Sequence, residues 1–263
     1  MQFGEGKPTR CVLQRQHPLA QGLVGAWAMD DGAGKNVRDH AGTNHGTAVA
    51  DGKWVPGMSG GKAMEFNGSS DYVSVVDNNE FDTAAGTYSF WFTPGVTYDS
   101  GLAEFDAIIG RRVDGGNFCL VGINTNGKLW WIFWQGVEKF DLESTQAAWV
   151  AGTWYHIATR WGVNGNKIFV NGVGEASDSD TTAVSLASNT LLGNHSVAVP
   201  RPFNGLLDDI RIYNRALSAA EIAAIYRDPN AIYRPPRVQW FVAALPPAER
   251  RLLPVNASFV VRH

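Results

Sequence analysis

Short strand-like segments recur from about residue 22 to residue 214, and turn sequences rich in glycine and asparagine separate them. Segments such as "TYSFWF", "NFCLVGI", "KLWWIFW" and "TWYHIATRW" carry aromatic and β-branched residues, whereas "FNGSSD", "NTNG" and "GVNGN" are typical of tight turns that need positive φ. Helical periodicity does not intervene between them. This spacing favours an all-β fold, either a sandwich or a jelly roll, over a fold that alternates strands and helices.

The composition agrees with a large all-β core. The 263 residues include 29 glycines and 10 tryptophans, and 44% are hydrophobic against 18% charged. A net charge of −3 argues against a general nucleic-acid binder. The N-terminal stretch has no apolar run of signal-peptide length, and no segment approaches the roughly 20 apolar residues of a membrane span. We therefore expect neither nucleic acid nor membrane as a partner, and no export by a signal peptide.

One short helix is predicted near the end of the strand-rich region. Ser218 and Glu221 form an S-x-x-E capping box, and Leu217 with Ile222 suits a hydrophobic staple around it. The dipeptide Asp228-Pro229 ends the helix, because the residue before a proline disfavours helical backbone.

The chain changes character after this helix. Residues 228–263 hold six of the twelve prolines, and five arginines against two acidic residues. We predict three parts: an N-terminal arm over 1–18, the jelly-roll domain over 19–227, and an extended Pro/Arg-rich C-terminal arm over 228–263. The residues predicted to make assembly contacts from this second arm are Arg234, Arg237, Trp240, Phe241, Arg250 and Arg251.

Several motifs occur in an order that resembles a known family. They are "HPLAQGLVGAWAMDDGAG", "KAMEFNGSSDYVSV", "TYSFWFTPG", "GTWYHIATRWGVNGNKIFVNG" and "FNGLLDDIRIYNRALSAAEIAAIY". Together they resemble the laminin-G-like jelly-roll domains of the concanavalin A-like lectin/glucanase superfamily, over roughly residues 19–227. The resemblance implies two antiparallel sheets packed face to face.

Two adjacent aspartates, Asp208 and Asp209, interrupt an otherwise apolar strand, and an unpaired buried charge is very costly. Strand alternation predicts that they point to opposite faces, with Asp208 the buried one. The resemblance implies a structural Ca²⁺ held by Asp208 and backbone carbonyls near the first strands, with Asp31 and Asp39 as candidate co-ligands. The alternative, hydrogen bonds from a turn backbone with no metal, stays open.

Relatives in the superfamily include glucanases, which implies a search for paired catalytic carboxylates. The nearest match is "EFDAI", where Glu104 and Asp106 fit an E-x-D-x-E pattern but Ile108 occupies the third position. His156 and His195 have no serine or cysteine partner in a recognisable motif. We therefore expect no enzymatic activity.

The segment "KLWWIFWQG" predicts a binding surface. Alternation places Leu129, Trp131 and Phe133 in the core and leaves three residues on the opposite face. These are the candidate glycan-binding or protein-binding residues Trp130, Ile132 and Trp134. An exposed apolar patch of this kind marks an interaction site, unless the helix or the C-terminal arm covers it.

The flanking sequences "HPLAQGLVGAW" and "DPNAIYRPPRVQWFV" resemble laminin-G-like proteins encoded in bacteriophage genomes. This resemblance implies a non-catalytic structural protein of the virion, either a capsid decoration or tail-associated. It would assemble in the host cytoplasm, as a homo-oligomer with other virion proteins, and display a domain that binds host or environmental glycans. The alternative is a free-standing, carbohydrate-binding, lectin-like protein.

Overall fold

A computed structural model describes residue 7, residues 11–49 and 52–233, and the backbone of two short strands at 240–242 and 252–254. Within these ranges no helix is long and apolar enough to cross a membrane. The strands of the main body are β1 (Leu23–Trp27), β2 (Asn36–Val37), β3 (Gly46–Ala48), β4 (Lys53–Pro56), β5 (Lys62–Asn67), β6 (Val73–Val75), β7 (Gly86–Pro94), β8 (Asp106–Asp114), β9 (Asn117–Ile123), β10 (Leu129–Gln135), β11 (Val137–Glu143), β12 (Tyr155–Trp161), β13 (Lys167–Val170), β14 (Val173–Ser177), β15 (Thr190–Leu192) and β16 (Asn204–Tyr213).

These strands form two antiparallel sheets, which confirms the predicted jelly-roll sandwich. The first sheet has the order β14-β13-β12-β7-β16-β5-β4, and β1 pairs with the second half of β16. The second sheet has the order β11-β10-β9-β8-β15-β6-β3-β2. Non-consecutive strands lie side by side in both sheets, so the packing depends on contacts between distant parts of the chain.

The main core lies between the two sheets and is rich in aromatic residues. Leu129, Trp131 and Phe133 of β10 belong to it, as alternation predicts. Phe90 and Phe92 of β7 approach it from the opposite sheet. Each sheet therefore has one inner face in this core and one outer face, and the two outer faces differ.

Helix α1 (Ala219–Arg227) confirms the capping-box prediction. Ser218 accepts a hydrogen bond from the Glu221 backbone N–H, and the Glu221 side chain reaches back to the backbone N–H of Ser218. Ile222 and Ile225 are buried. The ring of Tyr226 stacks on Trp91 of β7 at 5.6 Å between centroids, so the helix lies on the outer face of the first sheet.

Further residues complete a second hydrophobic cluster on that outer face. Cys11 and Leu19 join it from the N-terminal side, and Ile232 and Tyr233 join it after the helix. The Gln14 backbone N–H donates to the Ile232 carbonyl at 2.8 Å, which ties the two segments together. The packed unit therefore extends beyond the predicted bounds of 19 and 227, because apolar residues on both flanks cover the sheet.

The prediction that Asp208 and Asp209 point to opposite faces is wrong, although Asp208 is buried as predicted. Asp209 has a φ of 49°, and the pairing of β16 with β7 shifts register between Asp208 and Arg211. This β-bulge places an extra residue in the strand. Ile210 takes the core position, while Asp209 stays on the outer face and binds Arg211.

The predicted C-terminal assembly contacts lie mostly outside the described residues. Arg234, Arg237, Arg250 and Arg251 fall there. Trp240 and Phe241 belong to strand β17 (Trp240–Val242), which pairs antiparallel with β18 (Leu252–Pro254).

Candidate functional site

The outer face of the second sheet is the candidate site, because helix α1 and the flanking segments cover the outer face of the first sheet. Residues on the second outer face come mainly from β8, β9 and β10 and from the loops beside them. In the described part of the chain, no helix packs on this face. Its aromatic side chains therefore stay partly open to solvent.

Trp130 forms the first aromatic group. It is half-buried, and its ring packs edge-to-face against Phe105, with centroids 5.3 Å apart. Its indole N–H donates to an Asp141 oxygen at 2.6 Å. The guanidinium of Arg201 lies 5.3 Å from the centre of the Phe105 ring. These contacts fix the orientation of the indole and leave polar groups at its edge.

Trp134 forms the second aromatic group with Phe118, its cross-strand neighbour on β9. The rings are nearly parallel, at 5° with centroids 6.4 Å apart. The Arg112 guanidinium lies 5.6 Å from the centre of the Phe118 ring. All three side chains are half-buried. Because Arg112 pairs with Phe118 and Phe118 pairs with Trp134, one cation and two aromatic rings form a row across β8, β9 and β10.

Ile132 does not belong to an exposed stripe, contrary to the prediction, because its exposure is only 5%. It lies between Trp130 and Trp134 on the same face of β10, opposite the buried Leu120 of β9. The predicted continuous patch is therefore two aromatic groups separated by a filled position. Sequence reasoning missed Phe105, Phe118 and Arg112, because their approach depends on strand pairing and on the path of a loop.

An open groove of about 650 Å³ lies beside the second aromatic group. Leu191 and Ser74 line it from the sheet, Arg112 from β8, and residues 195–199 from the loop after β15. His195 of this loop also contacts Phe105, with ring centroids 5.4 Å apart, so the loop connects the groove with the first aromatic group.

His195 is packed against a glycine that leaves room for it. A Cβ at Gly110 would lie 2.2 Å from the Cβ of His195, so only glycine allows this approach of loop to strand. Burial lowers the pKa of His195 to about 4, and Arg112 and Arg201 add to this effect. The imidazole is therefore neutral at physiological pH and lines the site as a packed, uncharged side chain.

The acidic residues weighed for catalysis have other partners. Glu104 is exposed and pairs with Arg201 at 3.1 Å, whereas Asp106 accepts a hydrogen bond from the Tyr98 hydroxyl. Ile108 is fully buried in the core. His156 bonds Ser89 at 3.0 Å beneath the helix, and burial lowers its pKa to about 3. This arrangement does not give two carboxylates facing one substrate position.

The three aspartates predicted to hold calcium do not fit a shared ion. Asp208 is paired with Lys7 at 2.5 Å. Asp39 accepts three backbone N–H groups, and Asp31 accepts the backbone N–H of Arg38. Among the described residues, no cluster of three or more histidine, cysteine, aspartate or glutamate side chains is arranged to hold a metal. Both carboxylate oxygens of Asp208 and of Asp39, and one oxygen of Asp31, already accept hydrogen bonds from other groups.

Comparison with protein families agrees with this fold. A laminin-G-like family model of the concanavalin A-like lectin/glucanases superfamily matches residues 67–223, which is more than half of the chain. The protein belongs to this family. Among curated proteins, none matches the chain.

Solved structures with the same fold include isolated binding domains. Domain 4 of AbnA, a GH43 extracellular arabinanase from Geobacillus stearothermophilus, in complex with arabinotriose, is 20% identical, with a TM-score of 0.61 covering 78% of this chain and 98% of that one. The binding domain of Paraclostridial Mosquitocidal Protein 1 is 17% identical, with a TM-score of 0.63 over 79% and 52%. The receptor binding domain of botulinum neurotoxin D is 15% identical, with a TM-score of 0.59 over 79% and 53%. The chain thus spans only about half of each toxin domain.

Proposed function

We propose that the protein is a non-catalytic carbohydrate-binding protein and that the glycan lies on the outer face of the second sheet. The observation that carries this proposal is the pair of half-exposed tryptophans, Trp130 and Trp134, on an outer sheet face that no helix of the described residues covers. Exposed aromatic groups with polar neighbours are typical of ligand sites.

The chemistry of this face suits a sugar chain. An aromatic ring offers a flat apolar surface to the C–H face of a sugar, while the sugar hydroxyls need polar partners at the ring edge. Asp141 beside Trp130, and Arg112 beside Phe118, supply an acceptor and a donor there. Trp130 and Trp134 lie four residues apart on one strand, which is about 13 Å along it. The two groups therefore contact different sugar units of an oligosaccharide.

The relatives support the same proposal. The arabinanase domain was solved in complex with arabinotriose, and two other matches are a toxin binding domain and a toxin receptor binding domain. A glycan ligand is consistent with these descriptions and with the family's superfamily name.

The test starts with a glycan array on the full chain, followed by calorimetric titration of the best ligand. We expect Trp130→Ala and Trp134→Ala each to weaken binding at least tenfold, which equals about 1.4 kcal/mol. Trp134→Phe should retain part of the affinity, because it keeps a ring. Trp54→Ala, a half-buried tryptophan on β4 of the first sheet, is the matched control. Equal affinities for all four variants would contradict the proposed face.

A separate assay tests the proposal that the protein is non-catalytic. Incubation with laminarin, agarose, carrageenan and mixed-linkage glucans should release no reducing sugar. Turnover that Glu104→Gln abolishes would refute it.

We also propose that the protein is displayed on a virion. This proposal rests on the resemblance of the flanking sequences to laminin-G-like proteins encoded in bacteriophage genomes. The partners would be capsid or tail proteins and further copies of the chain, assembled in the host cytoplasm. A truncation after Tyr233 tests it, because it keeps the second hydrophobic cluster, including Ile232 and Tyr233, and removes the Pro/Arg-rich residues that follow. The shortened protein should stay folded and fail to join the particle; normal incorporation would refute the role of the arm.

A further inference from the structure

Asp208 raises a separate question, because its carboxylate is fully buried on the outer face of the first sheet. The partner is Lys7, whose ammonium lies 2.5 Å from one carboxylate oxygen. The two side chains are 0% and 1% exposed. The other carboxylate oxygen accepts the Met58 backbone N–H at 3.1 Å. The buried charge is thus held by a residue about 200 positions away in the sequence.

The ammonium of Lys7 is surrounded by oxygen atoms from three separate elements. Besides Asp208 on β16, it donates to the carbonyl of Lys62 on β5 at 3.1 Å and to the carbonyl of Ala28, just after β1. An ammonium has three N–H donors, so each donor has an oxygen partner. We call these three oxygens the oxygen cage.

Two glycines leave space for this arrangement. A Cβ at Gly61 would lie 2.2 Å from Cδ of Lys7, and a Cβ at Gly57 would lie 2.7 Å from an Asp208 oxygen. The Lys7 backbone N–H also donates to the Ser59 carbonyl at 2.7 Å. The turn between β4 and β5 is therefore shaped around the lysine side chain and its partner.

The oxygens of the cage belong to a carboxylate and to backbone carbonyls, which are the ligands that hard cations such as Ca²⁺ prefer. The family resemblance implies a calcium ion at Asp208, yet a lysine ammonium occupies that carboxylate. We propose that Lys7 is a tethered cation, which fills the oxygen cage in place of a metal ion and fastens the N-terminal segment to β16.

The proposal concerns the outer face opposite the glycan site and is independent of sugar binding. Burial alone would lower the pKa of Lys7, but the carboxylates of Asp208 and Asp209 outweigh it and raise the pKa above its ordinary value. The ammonium therefore stays charged at neutral pH. Removing one partner of a buried ion pair leaves an uncompensated charge, which is strongly destabilising.

Thermal unfolding of the full chain tests this inference. We expect Lys7→Met to lower the Tm by about 10 °C. Lys7→Met/Asp208→Asn should recover part of that loss, because the double variant has no unpaired charge. The control is Lys53→Met, which breaks an ion pair of the same 2.5 Å length whose lysine is 68% exposed. It should shift the Tm by no more than about 2 °C. A Lys7→Met variant as stable as the wild type would refute the proposal.

Calcium separates a tethered cation from an ordinary ion pair. Neither excess calcium chloride nor chelator should change the Tm of the wild type, because the ammonium holds the cage. Calcium should raise the Tm of Lys7→Met and leave that of Lys7→Met/Asp208→Asn unchanged. A wild type that chelator destabilises would overturn the proposal. A Lys7→Met variant that ignores calcium would show that the cage is not a cation site.

Discussion

The two outer faces of the sandwich differ in which side chains they bury and which they leave exposed. The first sheet buries charged side chains, including Asp208, Asp209 and Arg211, under the helix and the flanking segments. The second sheet leaves aromatic side chains, including Trp130 and Trp134, half-exposed. A charged residue in a strand is therefore not evidence of a solvent-facing site, and an aromatic one is not evidence of the core.

The buried charges are tolerated because each is partnered. Asp209 binds Arg211 through both carboxylate oxygens, at 3.1 and 2.6 Å. Arg211 also donates to the Pro229 carbonyl and lies 5.6 Å from the centre of the Tyr233 ring. The segment after the helix thus supplies part of the environment of the buried guanidinium. The residues that cover this face therefore connect the N-terminal segment and the segment after helix α1 to β16.

The largest expected effect comes from removing that cover. Truncation after Asp228 deletes Ile232 and Tyr233, which are 0% and 1% exposed, together with the Pro229 carbonyl. We expect a loss of about 5–10 kcal/mol in the free energy of unfolding, from two large buried side chains. Urea denaturation checks it against truncation after Tyr233. Equal midpoints for the two truncations would mean that this segment does not stabilise the first face.

A smaller effect on the free energy of unfolding is expected from breaking one ion pair on each outer face. Arg211→Met should cost about 3–5 kcal/mol, because it leaves Asp209 buried without its partner. Arg201→Met breaks the pair with Glu104, which is 63% exposed, and should cost no more than about 1 kcal/mol. Urea unfolding of both variants at low and high salt measures the difference. Similar losses would erase the distinction between the two faces.

The smallest expected effect is the pH dependence of one histidine on each face. Burial lowers the pKa of His156 to about 3 and that of His195 to about 4, both below the ordinary 6.5. Their contribution to stability is therefore full above pH 6.5 and is lost as the pH falls through these values. Urea midpoints between pH 7.5 and 4 should fall less steeply in His156→Gln and in His195→Gln than in the wild type. Unchanged slopes would mean that neither imidazole is kept neutral by the fold.

Local patterns made much of the fold predictable. The alternation of β10 assigned Leu129, Trp131 and Phe133 to the core, and the capping box located helix α1 at Ser218. Trp130 and Trp134 were identified on the outer face from the same alternation. These signals involve neighbours within a few residues, so they need no knowledge of which strands pair.

Pairing and long-range contact decided the rest. Phe118 reaches Trp134 only because β9 and β10 pair in one register, and Ile132 is buried by its cross-strand surroundings. The bulge at Asp209 cancelled an alternation rule that holds elsewhere in the strand.

The sequence by itself determined that this chain forms a two-sheet sandwich with one capped helix, since strand period, turn residues and capping act over short distances. Only the tertiary structure decided which cation pairs with Asp208 and which outer face the helix and the described flanking residues cover. Lys7 and Asp208 lie 201 positions apart in the sequence, and their attraction is strong only after folding has removed both from water. Coverage of a face likewise depends on where the flanking segments pack, which no local pattern of residues encodes.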